Sequence, residues 1–220
     1  MDFLPSRDGL HFANRFPPGP TIRFGPIDPR WFGVGDASQG LCGGMVFTAR
    51  DLWHASLEPP MDVEPPQNGS ARFRSIVRRQ VESLDWMRVP LRFFDLASFR
   101  PAPGRRRRED VTLDDEWPRV RAELEAGRPA MLGLIRQASA NPFLLGLNHQ
   151  VMAYAATWDD RAIRIRIYDP NWPDADDVML RVALGPDGRP TALAQNTGEP
   201  LLGFFRAPYS ATEPRAWRNR

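Results

Sequence analysis

The chain has 220 residues, of which 42% are hydrophobic, and this is enough for one domain with an apolar core. Its 29 basic and 27 acidic residues nearly balance to a formal net charge of +2, which argues against a field that draws the protein to nucleic acid or to a membrane surface. Its single cysteine excludes an intrachain disulfide and any metal site built from several cysteines.

The same sequence shows no targeting or membrane-spanning segment. Its first residues lack a basic stretch followed by an apolar run, so no secretory signal is expected. No apolar run reaches the length of about 18 residues that a transmembrane helix needs. We therefore expect a soluble, cytoplasmic protein with no membrane partner, and the sequence leaves non-classical export and the oligomeric state open.

Residues 1–35 are predicted to form an extended arm wrapped on the domain. Prolines recur along this segment, and each proline removes a backbone donor and interrupts regular structure. The aromatic residues of the arm are Phe3, Phe12, Phe16, Phe24, Trp31 and Phe32. So many aromatic side chains predict that the arm packs on the domain instead of staying disordered.

Residues 36–127 are predicted to form a helical lobe. Apolar residues recur at helical spacing over 42–56 and again over 70–87, which predicts two amphipathic helices. A third helix is predicted over 112–127, with Thr112 as its N-cap and acidic residues in its first turn.

Residues 128–210 carry strand signals and are followed by a C-terminal tail at 211–220. Short apolar or alternating runs are separated by turn residues, a pattern that predicts hairpins. The predicted strands are 130–135, 150–158, 162–168, 178–184, 191–194 and 201–205. Helices followed by a mostly antiparallel sheet, in a single domain over residues 1–220, indicate an α+β fold.

The only cysteine, Cys42, stands where the first long helix is predicted to begin. A helix N-terminus supplies backbone N–H groups and a partial positive charge, which lower a thiol pKa and can hold an oxyanion. Gly43 and Gly44 follow, and their missing side chains are expected to leave that helix face bare for a substrate. The competing interpretation is a cysteine that only packs in the core, as free cysteines often do.

Of the three histidines, His149 is the one that can serve Cys42 as a base. His54 lies on the same predicted helix, about 18 Å further along its axis. His11 lies in the arm, where nothing in the sequence fixes its position. His149 begins a predicted strand, and the next strand of that hairpin ends at Asp169, so the hairpin brings the imidazole and the carboxylate together.

Two side chains at the end of that second strand can orient the imidazole. Asp169 closes the strand and Pro170 turns the chain away, which makes Asp169 the better candidate. Asn171 is the alternative, because an orienting group needs an acceptor and not a full charge. The sequence therefore predicts a nucleophile, a base and an orienting group.

Three motifs occur in order: Gly-Leu-Cys-Gly-Gly-Met around Cys42, Asn-His-Gln-Val around His149, and Tyr-Asp-Pro-Asn around Asp169. Over residues 33–172 the chain resembles the papain-like cysteine peptidase superfamily, in particular a bacterial branch similar to bacteriocin-leader-processing (double-glycine) peptidases. The resemblance implies Cys42 as nucleophile, His149 as base and Asp169 as orienting group. It also implies a helical lobe that faces a sheet lobe across a cleft.

One position departs from the pattern of that superfamily, where a glutamine six residues before the cysteine usually donates to the oxyanion. Here that position holds Asp36, and Gln39 stands three residues before Cys42. A charged Asp36 cannot donate, so either Gln39 takes this role or backbone N–H groups, that of Cys42 included, hold the oxyanion. Loss of one such donor lowers the rate by about a hundred- to a thousandfold.

These residues predict thiol-dependent hydrolysis of a peptide or isopeptide bond in a peptide or protein substrate, with no cofactor and no metal. Acyl transfer or deamidation, as in a bacterial effector, would use the same residues. The alternative from another class is a papain-fold binding or scaffold module without turnover, for which Asp36 is the argument. The arginine run at 105–108 is followed by acids, and it is interpreted as a solvated loop instead of a nucleic-acid site.

Overall fold

The structure is a computed structural model that describes residues 2–17, 40–98, 106–139 and 149–218. Within these residues helices come first along the chain and strands second. This confirms the predicted mixture of helices with an antiparallel sheet. Among the described residues, no helix is both long and apolar enough to cross a bilayer.

Helices occupy the N-terminal half of the described chain. They are α1 (Pro5–Asp8), α2 (Cys42–His54), α3 (Ala71–Ser83), α4 (Arg88–Ala97), α5 (Arg108–Val111) and α6 (Trp117–Glu125). A π-helical turn at Thr112–Glu116 joins α5 to α6, and short 3₁₀ turns lie at Asp85–Met87 and Arg215–Trp217. Ser70 caps α3, because its Oγ accepts the N–H of Phe73 at 3.1 Å.

Two glycines allow α2 to be buried along most of its length. A Cβ built on Gly44 would lie 2.2 Å from the carbonyl oxygen of Ile76 in α3. A Cβ built on Gly43 would lie 2.3 Å from Ser83 Oγ and 2.1 Å from Gln150 Oε1. The expectation that these glycines leave a bare helix face for a substrate is therefore wrong, because α3 and the sheet fill the space.

The second predicted helix is broken near its end. Helix α3 ends at Ser83, and Asp85 and Trp86 then take positive φ angles of 40° and 53°, which non-glycine residues rarely adopt. Helix α4, which the sequence did not predict, starts immediately afterwards at Arg88. Its Pro90 does not disturb it, because the first turn of a helix needs no intrahelical partner for an N–H group.

The third predicted helix begins one turn before Thr112, at Arg108. Thr112 is buried inside the helical segment, where its Oγ accepts the backbone N–H of Phe204 at 3.2 Å. The prediction of Thr112 as an N-cap is therefore wrong. Its hydroxyl instead fastens the helical segment to the sheet.

The strands form one sheet in the order β5-β4-β3-β2-β1-β6. They are β1 (Ala130–Ile135), β2 (His149–Trp158), β3 (Ala162–Tyr168), β4 (Met179–Leu184), β5 (Pro190–Gln195) and β6 (Gly203–Arg206). All neighbouring pairs are antiparallel, and β2–β3 and β4–β5 are the two predicted hairpins. Each strand begins and ends within two residues of its predicted bounds.

The sheet is covered on both faces at β1. One apolar cluster joins α2 and α4 to the sheet through Val46, Phe93 and Met131. A second cluster joins α6 to the sheet through Val120 and Leu132. Because successive side chains of a strand point to opposite faces, β1 is buried on both sides, which explains its uninterrupted apolar sequence.

The described part of the N-terminal arm packs on the domain, as its aromatic residues predict. Phe3, Phe12 and Phe16 are buried, with exposed fractions of 2%, 2% and 5%. Phe3 contacts the rings of Tyr154 and Tyr168 in the sheet, at centroid distances of 5.8 Å each. The remaining aromatic residues of the predicted arm, Phe24, Trp31 and Phe32, lie outside the described residues.

A buried ion pair ties the C-terminal segment to the helices. Arg79 Nε in α3 lies 2.8 Å from Asp51 Oδ2 in α2, and both side chains are 3% exposed. The Tyr209 hydroxyl donates to Asp51 Oδ1 at 2.6 Å. Such a buried pair is tolerated only when its remaining polar atoms are also bonded, and Tyr209 supplies one of these bonds.

Because α2 and α3 meet at glycine, Gly44→Ala is expected to destabilise the protein by about 2 kcal/mol. The overlap with the Ile76 carbonyl should cost about 3 kcal/mol, against about 1 kcal/mol gained from helix propensity. Urea unfolding at constant m-value measures the difference. Gly185→Ala is the control, with an expected change below about 0.5 kcal/mol, because the nearest atom is the movable carboxylate end of Asp187. Equal stabilities for the two variants would contradict the close-packing account.

Candidate active site

Cys42 is the first residue of α2, and its side chain keeps partial access to solvent. Leu41 precedes it as the N-cap residue and is fully buried, which anchors the start of the helix. At this first helical position the backbone N–H of Cys42 has no partner within the helix. The thiol therefore lies where the helix dipole favours negative charge.

His149 and Asp169 form a buried pair at the other side of the site. His149 begins β2 and Asp169 directly follows β3, so the β2–β3 hairpin brings them together. His149 Nε2 lies 2.7 Å from Asp169 Oδ1, and the two residues are 5% and 1% exposed. In buried surroundings a hydrogen bond of this kind is strong and fixes the plane of the ring.

The structure brings Cys42 to this pair. The two groups are close enough to act on each other: the imidazole lowers the pKa of the thiol, and the thiolate raises the pKa of the imidazole. Because Nε2 is bonded to Asp169, Nδ1 is the ring nitrogen left for the sulfur. The backbone N–H groups of Gly43 and Gln150 also lower the pKa of the thiol. Cys42, His149 and Asp169 thus lie together in the structure.

The pKa values of the three groups favour charge separation. Burial raises the pKa of the Cys42 thiol, but the charge and hydrogen bond of His149 outweigh it and bring the pKa below its usual value. Burial lowers the pKa of His149, yet the charges of Asp169 and Cys42 raise it to about 9. Burial opposes ionisation of Asp169, but His149 lowers its pKa to about 2. These shifts favour the thiolate–imidazolium form of the pair over the neutral form, beside a charged Asp169 carboxylate.

Asp169 is held by three further donors, none of which sequence reasoning identified. Its Oδ1 accepts the backbone N–H of Asn171 at 2.9 Å. Its Oδ2 accepts Gln195 Nε2 at 3.1 Å and lies 3.4 Å from Arg136 in the segment after β1. Gln195 ends β5 and is 4% exposed. Gln195 and Arg136 could be found only from the three-dimensional neighbours of Asp169.

The side chain of Asn171, the alternative orienting group, bonds to the arm instead of to the ring. Its side-chain oxygen accepts Asn14 Nδ2 at 3.3 Å, and its backbone N–H supports Asp169. The carboxylate of Asp169 is the group that meets His149.

The other candidate residues lie away from this cluster or outside the described residues. His54 is the last residue of α2, at the opposite end of the helix from Cys42. His11 is buried in the arm, with its Nδ1 2.6 Å from Asp174 Oδ1. Asp36 and Gln39 lie outside the described residues, so an oxyanion role for Gln39 stays a prediction.

The arginine run is in part a structural element. Arg106 pairs with Asp115 at 3.0 Å and Arg107 with Asp110 at 3.1 Å, as the acids next to them suggest. Arg108 is buried, and its guanidinium donates to the carbonyl oxygens of Leu96 and Ala97 at the end of α4. The interpretation of the whole run as a solvated loop is therefore wrong for Arg108, while residue 105 lies outside the described part.

The residues that the structure describes contain no group of three or more His, Cys, Asp or Glu side chains arranged to hold a metal ion. Comparison of the chain with family models, with curated proteins and with solved structures gave no match. The chemistry of the site therefore has to be argued from the geometry and electrostatics of its side chains.

If the thiolate–imidazolium pair exists, Cys42 should react quickly with iodoacetamide at about pH 6, where an ordinary thiol with a pKa of about 8.5 hardly reacts. His149→Ala should slow the reaction at this pH by at least about tenfold and move its midpoint towards the ordinary value. Intact mass gives the rate directly, because the chain has a single thiol. The unfolded protein in urea is the control. Slow labelling of the native protein, unchanged in His149→Ala, would show an unactivated thiol.

Asp169→Asn should lower the pKa of His149 from about 9 towards about 6.5, because the carboxylate that stabilises the imidazolium loses its charge. The imidazolium would then lose its proton at lower pH, so the ion pair would disappear from the alkaline side first. NMR titration of the ring protons measures this, with His149→Ala for assignment. Asp174→Asn is the matched control, since Asp174 pairs with His11. The assignment would be contradicted if the pH midpoint of His149 shifted in Asp174→Asn but not in Asp169→Asn.

Proposed function

We propose that the protein is a papain-like cysteine hydrolase that cleaves a peptide or isopeptide bond in a peptide or protein substrate. The observation that supports this most strongly is the buried His149–Asp169 pair, at 2.7 Å, together with the lowering of the Cys42 thiol pKa by His149. A thiol that only packs in a core has no need of such a base and orienting group. The resemblance of the three sequence motifs to papain-like peptidases points in the same direction.

The proposed fold assignment is that of papain-like enzymes. Helix α2 would be the nucleophile helix of the helical lobe, and the β2–β3 hairpin would carry the base and its partner in the sheet lobe. A nucleophile on one lobe and a base on the other leave the substrate to lie in the cleft between them. The antiparallel order of the sheet and the position of Cys42 at a helix start are consistent with this proposal.

In the acylation step, the Cys42 thiolate attacks the carbonyl carbon of the scissile bond, and the carbonyl electron pair moves onto oxygen. The His149 imidazolium gives its Nδ1 proton to the leaving amine as the carbon–nitrogen bond breaks. A thioester remains on Cys42, with a neutral imidazole beside it. Asp169 keeps the ring in the orientation that aims Nδ1 at the reacting atoms.

The negative oxygen of the tetrahedral intermediate needs donors aimed at it. The backbone N–H of Cys42 is one, since the first N–H groups of a helix are not used within it and the helix dipole adds positive potential. Gln39 is the proposed second donor. With only the backbone donor, the rate would be lower by about a hundred- to a thousandfold.

In the deacylation step, His149 takes a proton from water, and the resulting hydroxide attacks the thioester carbonyl. The carbon–sulfur bond breaks, the carboxylic acid product leaves, and the thiolate–imidazolium pair is restored. If an amine replaces water, the same intermediate gives acyl transfer, and if the substrate is a side-chain amide, the product is a deamidated residue. A bacterial effector with such an activity would use the same three residues.

The test is an incubation of the protein with a mixture of proteome-derived peptides in heavy-oxygen water, followed by mass spectrometry. New carboxyl termini carrying one heavy oxygen show hydrolysis, whereas labelled side-chain carboxylates show deamidation. Cys42→Ala should abolish every product, and Asp169→Asn should lower the rate by about 10²- to 10⁴-fold. Gly185→Ala, in the turn between β4 and β5, is the control variant: it is prepared in the same way and should keep wild-type activity.

The absence of products in both wild type and Cys42→Ala would contradict the enzyme assignment. A peptide aldehyde, which adds reversibly to a thiolate, then separates the remaining cases. Adduct formation that depends on His149 without turnover would support the alternative, a papain-fold binding or scaffold module. This alternative is kept because Asp36 replaces the usual oxyanion donor in the sequence.

A further inference from the structure

The described part of the N-terminal arm, residues 2–17, lies along the sheet side of the site. Three of its polar contacts reach the segment that follows β3 or the end of β3 itself. They are Ser6 N to Asp176 Oδ1 at 2.9 Å, Leu10 N to the Tyr168 hydroxyl at 3.1 Å, and His11 Nδ1 to Asp174 Oδ1 at 2.6 Å. These contacts fix the arm to the sheet.

Asn14, among the described residues of the arm, bonds to both sides of the site. Its backbone N–H donates to the carbonyl oxygen of Pro170 at 2.8 Å, and its Nδ2 donates to Asn171 Oδ1 at 3.3 Å. Its Oδ1 accepts the backbone N–H of Leu41 at 2.6 Å. Leu41 directly precedes the nucleophile, and Pro170 directly follows Asp169. One side chain therefore spans from the start of α2 to the turn that follows Asp169.

The contact between Asn14 and Leu41 requires a glycine at position 40. Gly40 adopts a φ of +92°, a region that favours glycine. A Cβ built there would lie 2.6 Å from Asn14 Nδ2, closer than real Cβ contacts come. The glycine therefore allows both the backbone turn into α2 and the close approach of the Asn14 amide.

We propose that Asn14 is a positioning residue of the Cys42–His149 pair: its amide fixes the start of α2 against the turn that follows Asp169. This inference depends on the proposed function for its catalytic meaning. The physical reason is geometric, because the thiol and the imidazole belong to different elements and only contacts between those elements set their separation. An error of about 1 Å in such a separation can lower a rate about a hundredfold.

Asn14 does not touch the reacting atoms in the described structure, so its removal should act through the ion pair. In Asn14→Ala the Leu41 N–H and the Asn171 oxygen lose their partner, and the two elements become free to separate. The thiolate then loses part of its imidazolium partner. The rate of iodoacetamide labelling at about pH 6 should fall about tenfold, which corresponds to a thiol pKa about one unit higher.

The experiment measures the labelling rate of Cys42 against pH in the wild type, Asn14→Ala, Asn171→Ala, the double variant and His11→Ala, with circular dichroism to confirm folding. His11→Ala is the matched control, because it removes another bond between the arm and the sheet without contact to Leu41 or Asn171. Its pH midpoint should equal that of the wild type. Asn171→Ala should shift the midpoint in the same direction as Asn14→Ala, and the double variant should add less than the sum of both.

The outcomes separate the two proposals. If folded Asn14→Ala labels at pH 6 at the wild-type rate and its pH midpoint is unshifted, the role of Asn14 is overturned and the proposed function stays intact. Equal shifts in Asn14→Ala and His11→Ala would also overturn it, since general docking of the arm would then be the cause. A wild type that labels like an ordinary thiol would overturn both. If Asn14→Ala does not fold, Asn171→Ala decides, and an unshifted midpoint in that variant overturns the role of Asn14.

Discussion

The buried carboxylate of Asp169 is the constraint on which the arrangement of the site depends. A lone carboxylate in an interior position is strongly unfavourable, and it stays charged only where donors surround it. Here His149 and the backbone N–H of Asn171 occupy one oxygen, while Gln195 and Arg136 face the other. These donors come from three parts of the chain, so the charged carboxylate holds together the end of β5, the segment after β1 and the β2–β3 hairpin.

From this point the rest of the site follows in order. The fixed carboxylate fixes the plane of the His149 ring, and the ring presents its second nitrogen to the sulfur of Cys42. The sulfur is in turn placed by helix α2, whose glycines let it lie against α3 and the sheet. The reactive group therefore has little freedom of its own, which is the preorganisation that nucleophilic catalysis requires.

Much of the fold could be predicted from the sequence because its patterns are local. Alternation and turn residues are sufficient for the strands, and helical spacing is sufficient for α2. The same local patterns place His149 and Asp169 at facing ends of a hairpin. Gln195 and Arg136 could not be predicted, because the order of strands in the sheet, and not any spacing in the chain, brings them to Asp169. The left-handed residues that break α3 from α4 also escape the pattern, since Asp85 and Trp86 are ordinary helix residues in isolation.

The proposed nucleophile, Cys42, and its proposed base, His149, are separated by about a hundred residues of sequence. During synthesis from the N-terminus, Cys42 therefore leaves the ribosome long before the strand that begins with His149. Until β2 and β3 have paired, the thiol has no imidazole beside it and behaves as an ordinary, mostly protonated cysteine. Because of this separation, the thiol of the nascent chain stays unactivated during synthesis. It becomes reactive only when the sheet is complete.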